Sequence, residues 1–245
     1  MWNDIYEEIS QIIEGTGPFD LCFRGHANCT WELSPSAART KMREDRDVEY
    51  RVYFDFKTLA GSLLPESSSA WAVALSMQHH GLPTRLLDWT DSFAVALHFA
   101  LREESKENPC VWILDPYKLN KEMGWGETLP TLDDLPNDYF EMFLDEDFKG
   151  KKYQALAVAP NRHNSRAFSQ KSLFTIHDDL GSPINLLENS LRKFEIPRGA
   201  IPGAKKFLSM AGINEYSLFP DLDGLAREVK KIHLESHYKQ PDKTA

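Results

Sequence analysis

The sequence predicts a single-domain α+β protein, a sheet of short strands flanked by helices. Three observations predict it. Runs of strand length, such as residues 19–25 (FDLCFRG) and 110–114 (CVWIL), are interspersed with longer segments whose apolar residues recur every three or four positions. Hydrophobic residues make up 42% of the chain and charged residues 27%, an ordinary globular composition that argues against disorder. The 245 residues would suffice for one large domain or two small ones, but no repeat, low-complexity linker or clean boundary divides them.

Residues 2–14 place Trp2, Ile5, Ile9, Ile12 and Ile13 at helical spacing, closed by Gly15 and Gly17. Residues 44–62 form a charged helix with Val48, Val52, Phe56 and Leu59 inward. A further helix covers 69–80, where Gly81 supplies the left-handed stop and Pro83 blocks a restart. Residues 84–89 are then extended, and Thr90 or Asp91 caps a helix reaching about Glu104. Residues 116–152, rich in Pro, Gly and acids, read as a mobile insert with one short helix near 138–144. Strands follow at 156–159, 173–176 and 194–197, with a short helix at 184–191 and closing helices at 205–211 and 222–234. The expected layout is an N-terminal helix over 1–15, a core from about 18 to 235 and a frayed tail at 240–245.

Charge and cysteine usage narrow the function classes. No apolar run approaches a membrane span, and the acidic, amphipathic start MWNDIYEEIS lacks the features of a signal peptide. Cys22, Cys29 and Cys110 are odd in number and not in CxxC spacing, so neither a disulfide framework nor a zinc site is suggested. A cytoplasmic location without membrane contact is the expectation. The net charge of −9 argues against a general nucleic-acid coat protein. It is uneven, however. Residues 103–147 hold thirteen acids and three bases, and residues 149–206 hold eleven bases and four acids. Two solvated faces of opposite sign would explain this, as would an acidic insert beside a surface that receives an anionic ligand.

The GxxxxGK, GxGxxG, GxSxG and HExxH signatures are missing, which removes support for P-loop phosphoryl transfer, hydride transfer and zinc hydrolysis. Two clusters remain. In Phe23-Arg24-Gly25-His26, an arginine ends a buried strand and needs a carboxylate, a phosphate or carbonyls to meet it. Gly25 would let a ligand approach the backbone. The plainer alternative is an internal salt bridge from Arg24 to Asp88. The second cluster is residues 78–90, QHHGLPTRLLDWT. His79 and His80 sit at a helix C-terminus, whose negative end favours their charged form. Alternation puts Thr84, Leu86 and Asp88 on one face and Arg85 and Leu87 on the other. A satisfied core pair for the histidines and a capping role for Asp88 are the corresponding plain readings, and the His79–His80 spacing does not suit a metal.

With these motifs the sequence resembles the FRG-domain family, named for the Phe-Arg-Gly present at 23–25. Residues 78–90 followed by ALHFA (96–100) look like its most specific block. Arg166-x-x-x-Gln170-x-x-x-Phe174 and FPDLDGLA (219–226) are similar to its weaker downstream motifs. A more distant likeness is to NAD-dependent ADP-ribosyltransferases. Phe23-Arg24-Gly25, then Asp88-Trp89-Thr90 with Ala96–Ala100, then Gln170-Lys171-Ser172 follow the order of their three motifs, with Ser172 standing where their catalytic glutamate would be. That likeness implies a split β-sheet and NAD as substrate. It implies that Arg24 grips a phosphate or ribose hydroxyl and that Thr84 or Thr90 holds the ribose. Gly25, Gly81, Arg85 and Ser172 would complete the dinucleotide site. Gln170 would meet the 2′-hydroxyl, Asp88 would stabilise positive charge, and His79 or His80 would serve as base.

Three functions follow as expectations: ADP-ribose transfer to a macromolecule in a toxin or anti-phage setting, a non-catalytic nucleotide- or nucleic-acid-binding module, and a structural partner-binding domain. The acceptor would be a protein or a nucleic acid. The basic balance around Arg162, His163, Arg166 and Lys171 favours nucleic acid. An antitoxin or regulatory partner would accompany a toxin.

Overall fold

The computed structural model describes residues 1–16, 20–65, 68–145, 154–159, 172–182, 184 and 190–235. It is an α+β fold built on one six-stranded sheet in the order β4-β5-β2-β1-β3-β6, every neighbouring pair antiparallel. The strands are β1 (Cys22–His26), β2 (Leu86–Thr90), β3 (Cys110–Leu114), β4 (Leu156–Val158), β5 (Ser172–Ile176) and β6 (Leu191–Glu195). The helices are α1 (Trp2–Thr16), α2 (Arg46–Ala60), α3 (Ala70–His79), α4 (Phe93–Ala100), α5 (Pro116–Glu122), α6 (Tyr139–Phe143), α7 (Ile201–Met210), α8 (Glu215–Leu218) and α9 (Leu222–Lys230).

The sheet is split in its middle. β1 pairs with β3, and β2 with β5, over five residues each, but β1 and β2 share the single pair Phe23↔Thr90. Two three-stranded halves, β4-β5-β2 and β1-β3-β6, therefore meet at a thin seam. Alternation sorts side chains onto two faces. On the first, Leu86, Leu156, Val158, Phe174 and Ile176 are covered by Trp71, Val73 and Met77 of α3, with Tyr53 of α2 and Tyr139 of α6. On the same face of the other half, Phe23, Val111 and Ile113 are covered by Ala96 and Leu97 of α4 and Ala204 and Leu208 of α7. The second face carries Cys22, Leu87, Trp89, Trp112 and Leu114 under Leu33 and Leu119.

Several expectations are corrected. Residues 116–145 are packed and not peripheral. Leu119, Leu132, Tyr139 and Phe143 are all buried, because apolar residues sit at helical spacing between the acids. Asn120 shows how closely this segment is tied in: its amide bonds Ala157 in both directions, accepting from its N–H at 2.8 Å and donating to its carbonyl at 2.9 Å, which gives edge strand β4 an extra rung. Ser92, not Thr90 or Asp91, caps α4, accepting from Val95 N at 3.4 Å, and the helix ends at Ala100. The last strand starts at Leu191 and not at 194. Its outer residues Arg192 and Lys193 are exposed, so an edge strand reads as polar in sequence. The tail at 240–245 and residues 146–152 lie outside the described residues.

Among the described residues no helix is long and apolar enough to cross a membrane. The FPDLDGLA and ALHFA motifs meet at a buried ionic cluster. Glu215 Oε1 lies 3.1 Å from His98 Nε2 and 3.0 Å from Arg102 Nε, and Glu215 Oε2 lies 3.0 Å from Arg227 Nε. Phe219 lies beside both guanidinium groups. Glu215, Arg102 and Arg227, which flank the motifs, join motif residues His98 and Phe219 in holding the C-terminal hairpin on α4.

Candidate functional site

α3 brings Gln78 to the sheet. The helix stops at Gly81, with φ of +81°, where Gly81 N donates to Gln78 O and Leu82 N to Met77 O. Gln78 Nε2 donates to Asp88 Oδ1 at 2.7 Å, and its Oε1 accepts from the Thr84 hydroxyl. Asp88 is the central residue of β2, yet its side chain is exposed, whereas Leu86 and Thr90 on the same face are buried. α3 covers Leu86 and α4 starts over Thr90, so the carboxylate stands in the gap between two helices. Its immediate setting is still protein-rich. Burial raises the Asp88 carboxyl above its usual range, opposed by the Arg24 charge and the Gln78 hydrogen bond.

Arg24 enters the seam from the other face. Its Nη1 donates to the Asp88 carbonyl at 2.7 Å and its Nε to His26 Nε2 at 3.2 Å. The guanidinium thus bridges β1 and β2 where their ladder has parted. Among the described residues it has no carboxylate within salt-bridge distance, so the expected Arg24–Asp88 ion pair does not form: the carboxylate turns to Gln78 and only the carbonyl meets the arginine. Burial lowers the guanidinium's pKa, the charge of Asp88 opposes this, and Arg39 adds to it.

The ring of His26 faces two N–H donors, Arg24 Nε and Trp112 Nε1, the latter at 3.3 Å from Nδ1. A neutral imidazole offers one lone pair, so one donor is left underpaired. The ring stays neutral: burial, then the charges of Arg24 and Arg39, hold His26 down at about 4. Lys193 adds a third cation, with its Nζ 5.1 Å from the Trp112 ring centre. Half-exposed Trp31 packs 6.1 Å from the His26 ring. Nearby, Trp89 Nε1 donates to Thr175 Oγ1, which lies 3.0 Å from His177 Nε2. His177 is fully buried, its Nδ1 has no partner among the described residues, and burial with Arg24 and Arg85 holds it at about 3.

The predicted site residues divide. Asp88 and the end of α3 that carries His79 and His80 share the first face of the sheet, whereas the Arg24 side chain lies on the second face and meets Asp88 only through its carbonyl; both histidines are exposed, with rings 4.9 Å apart. They are a surface pair and not a core pair. Thr84 and Arg85 are buried in internal bonds. Arg85 holds Glu49, so the expected dinucleotide contact from Arg85 is corrected: the strand enters the sheet with this side chain turned into the core. Thr90 is buried and accepts from Ser92 N, at the entry to α4. At Gly25 the close approach is made by α4 and not by a ligand. A Cβ there would lie 1.9 Å from Ala96 O and 2.6 Å from Ala100 N. Ser172 pairs with Thr90 across the β2–β5 ladder, and Gln170 lies outside the described residues. Gln78, His26, Trp31, Arg39, Lys193 and His177 were missed as site candidates. Gln78 was legible as part of the motif block and His26 as the end of the Phe23-Arg24-Gly25-His26 cluster; the others become neighbours only through the fold. Two surface hollows of about 490 and 400 Å³ lie along α1 and contain none of the motif residues.

The depressed histidines make acid sensitivity measurable. An unfolded histidine titrates near its ordinary 6.5, while His26 and His177 bind protons only at about 4 and about 3, and burial lowers His98 despite Glu215. Below 6.5 the unfolded state therefore binds more protons, and stability falls as pH falls. Urea midpoints should drop continuously from pH 7 to pH 4.5. His26→Gln should make the slope shallower by up to about 1.4 kcal/mol per pH unit, one proton's worth. A flat profile over this range would contradict the buried neutral rings.

The fold and site define a class: an α+β domain with a split antiparallel sheet and an arginine at the split. Residues 20–109 match the family model of the FRG domain, and this stretch contains the Phe-Arg-Gly strand and the QHHGLPTRLLDWT block. No curated protein and no solved structure matches the chain, so the likeness to ADP-ribosyltransferases rests on the residues alone.

Proposed function

We propose that the protein binds NAD at the seam and transfers its ADP-ribose to a macromolecule, with nucleic acid as the leading acceptor. The observation that carries this reading is one row of the sheet. Phe23 pairs with Thr90, and Thr90 pairs with Ser172, so the three motif positions stand side by side on β1, β2 and β5. Arg24, next to that row and without a carboxylate among the described residues, suits a pyrophosphate. Breaking the nicotinamide–ribose bond sends the bond's electron pair to nicotinamide and leaves positive charge on the ribose. Asp88, two residues from Thr90 and open to solvent, is the carboxylate for that charge. The acceptor's nucleophile then bonds the anomeric carbon and loses its proton, with His79 or His80 as base. Such an activity suits a cytoplasmic toxin or anti-phage effector restrained by an antitoxin or regulatory partner.

The second reading is nucleotide binding without chemistry, favoured by Ser172 at the position of the catalytic glutamate. NAD labelled in the adenylate half, incubated with the protein and whole-cell extract, separates the two. Released nicotinamide and label on a macromolecule, both lost in Asp88→Asn while NAD still binds, is the result expected for transfer. Binding without nicotinamide release leaves only the second reading, and absence of NAD affinity removes both. Label on nucleic acid should fall steeply with salt; label confined to protein would remove the nucleic-acid acceptor.

A further inference from the structure

Charge is sorted between the two faces of the sheet at the seam. The Asp88 carboxylate stands on the first face, held by Gln78. On the second face Arg24, Trp112 and Lys193 follow one another across β1, β3 and β6, because Arg24 pairs with Trp112 and Trp112 with Lys193. Arg39, in the segment between β1 and α2, and Lys193 are both exposed. The charge of Arg39 acts on Arg24 and on His26, and that of Lys193 acts on His26, so three cations stand around one neutral ring. Among the described residues neither guanidinium has a carboxylate within salt-bridge distance. Arg24 donates to the Asp88 carbonyl and His26, and Arg39 donates to the Ser34 carbonyl at 3.2 Å. Glu195, on β6, is taken by Asn108, whose Nδ2 donates to its Oε1 at 2.6 Å. Cations gathered without an acid of their own focus an anion.

Trp31 adds an apolar platform to the same place. It is 49% exposed and belongs to none of the hydrophobic clusters, yet its turn is fixed. Trp31 N donates to Asn28 O at 3.2 Å, and Asn28 Oδ1 accepts from the backbone and hydroxyl of Thr30. Cys29 N donates to Asn108 O at 2.8 Å, and Cys29 O accepts from Lys193 Nζ at 3.1 Å. The Trp31 ring lies 6.1 Å from the His26 ring, whose Nε2 is 3.2 Å from Arg24 Nε, so indole and guanidinium are neighbours of one imidazole. A fixed, half-exposed indole beside unpaired cations suits a base and its phosphates. The base is selected by charge: the nicotinamide ring of NAD is cationic and these side chains disfavour it, whereas adenine is neutral. We propose that the second face takes the adenosine diphosphate half of NAD, with the pyrophosphate between Arg24 and Arg39 and the adenine on Trp31. The nicotinamide riboside then reaches Asp88 on the first face, where β1 and β2 part. The assignment rests on the reading of the seam as an NAD site and names the half that each face receives.

The test is calorimetric titration of the intact chain with NAD, ADP, inorganic pyrophosphate and nicotinamide mononucleotide. Trp31→Ala should weaken ADP and NAD about tenfold, the size of one lost base stack, and leave pyrophosphate and nicotinamide mononucleotide unchanged. Trp31→Phe should keep most of the ADP affinity. Arg39→Gln should weaken ADP and pyrophosphate alike, again about tenfold. Both residues are exposed, so each variant should keep the wild-type melting profile. NAD and ADP that bind both variants as tightly as the wild type overturn the assignment and leave the seam site standing. A Trp31→Ala loss on nicotinamide mononucleotide and not on ADP reverses the two halves and overturns it as well. A wild type that binds NAD but not ADP overturns this proposal alone, and one that binds neither overturns it together with the NAD reading. ADP binding that depends on Trp31 and Arg39, without release of nicotinamide from NAD, supports the assignment and refutes only the transfer.

Discussion

Replacing Glu49 by alanine should destabilise the protein by about 3–5 kcal/mol, the usual cost of stranding one partner of a buried ion pair. Arg85 Nε and Nη2 donate to the two Glu49 oxygens at 2.8 and 2.7 Å. The Tyr139 hydroxyl donates to Oε1 at 2.6 Å, and Arg85 Nη1 meets the carbonyls of His177 and Asp178. Burial alone would lower the Arg85 pKa, but its bonds to Glu49 raise it, and burial with Glu49 beside it pushes the Tyr139 hydroxyl well up. One carboxylate therefore ties α2, α6 and the entry to β2 together. Guanidinium unfolding reads the effect. A double replacement by apolar residues, Glu49→Leu with Arg85→Met, should recover part of the loss because no charge is left unpaired. A single-variant cost below about 1 kcal/mol, the range of exposed pairs, would show that the network is solvated.

Arg24→Ala should reduce NAD affinity by about 100-fold or more, since each charge-assisted bond to a pyrophosphate contributes about 1.5–3 kcal/mol. The fold should survive, because the bonds lost are one to the Asp88 carbonyl and one to His26. Calorimetric titration and a thermal melt on the same sample give both quantities. Arg24→Lys should fall between, as an ammonium cannot span two oxygens. If Arg24→Ala unfolds and the wild type has no affinity for NAD, the arginine is a cross-link of the sheet and nothing more.

Local patterns in the sequence foretold much of the fold. The end of α3 was legible because Gly81 and Pro83 act on the backbone within a few residues of themselves. The apolar run of β3 was legible for the same reason. Arg85 could not be placed, because its partner Glu49 lies on another helix and Tyr139 beyond two more strands. Segment 116–145 was misjudged because its acids masked the spacing of Leu119, Leu132 and Tyr139. Of the candidate site, Arg24 and Asp88 stood out as polar groups in strands. Their relation did not: that Arg24 meets the carbonyl and Gln78 the carboxylate is set by how β1 and β2 part. Gly25 was singled out for the close approach of a ligand, but what lies against it is α4, a helix far later in the chain that follows β2.

The thin join between β1 and β2 bears on what counts as an autonomous unit. Residues 20–109, the stretch matched to the FRG family, contain both of these strands and the helices α2, α3 and α4. Within it the sheet keeps the single rung Phe23–Thr90. The principal partners of both strands, β3 for β1 and β5 for β2, come later in the chain. The Arg85 network is cut as well, since Tyr139, His177 and Asp178 are left out. The segment that carries the recognisable motifs is thus a set of facing surfaces without the scaffold that makes them face one another. Excised, it would expose the long edges of two separated strands and invite aggregation.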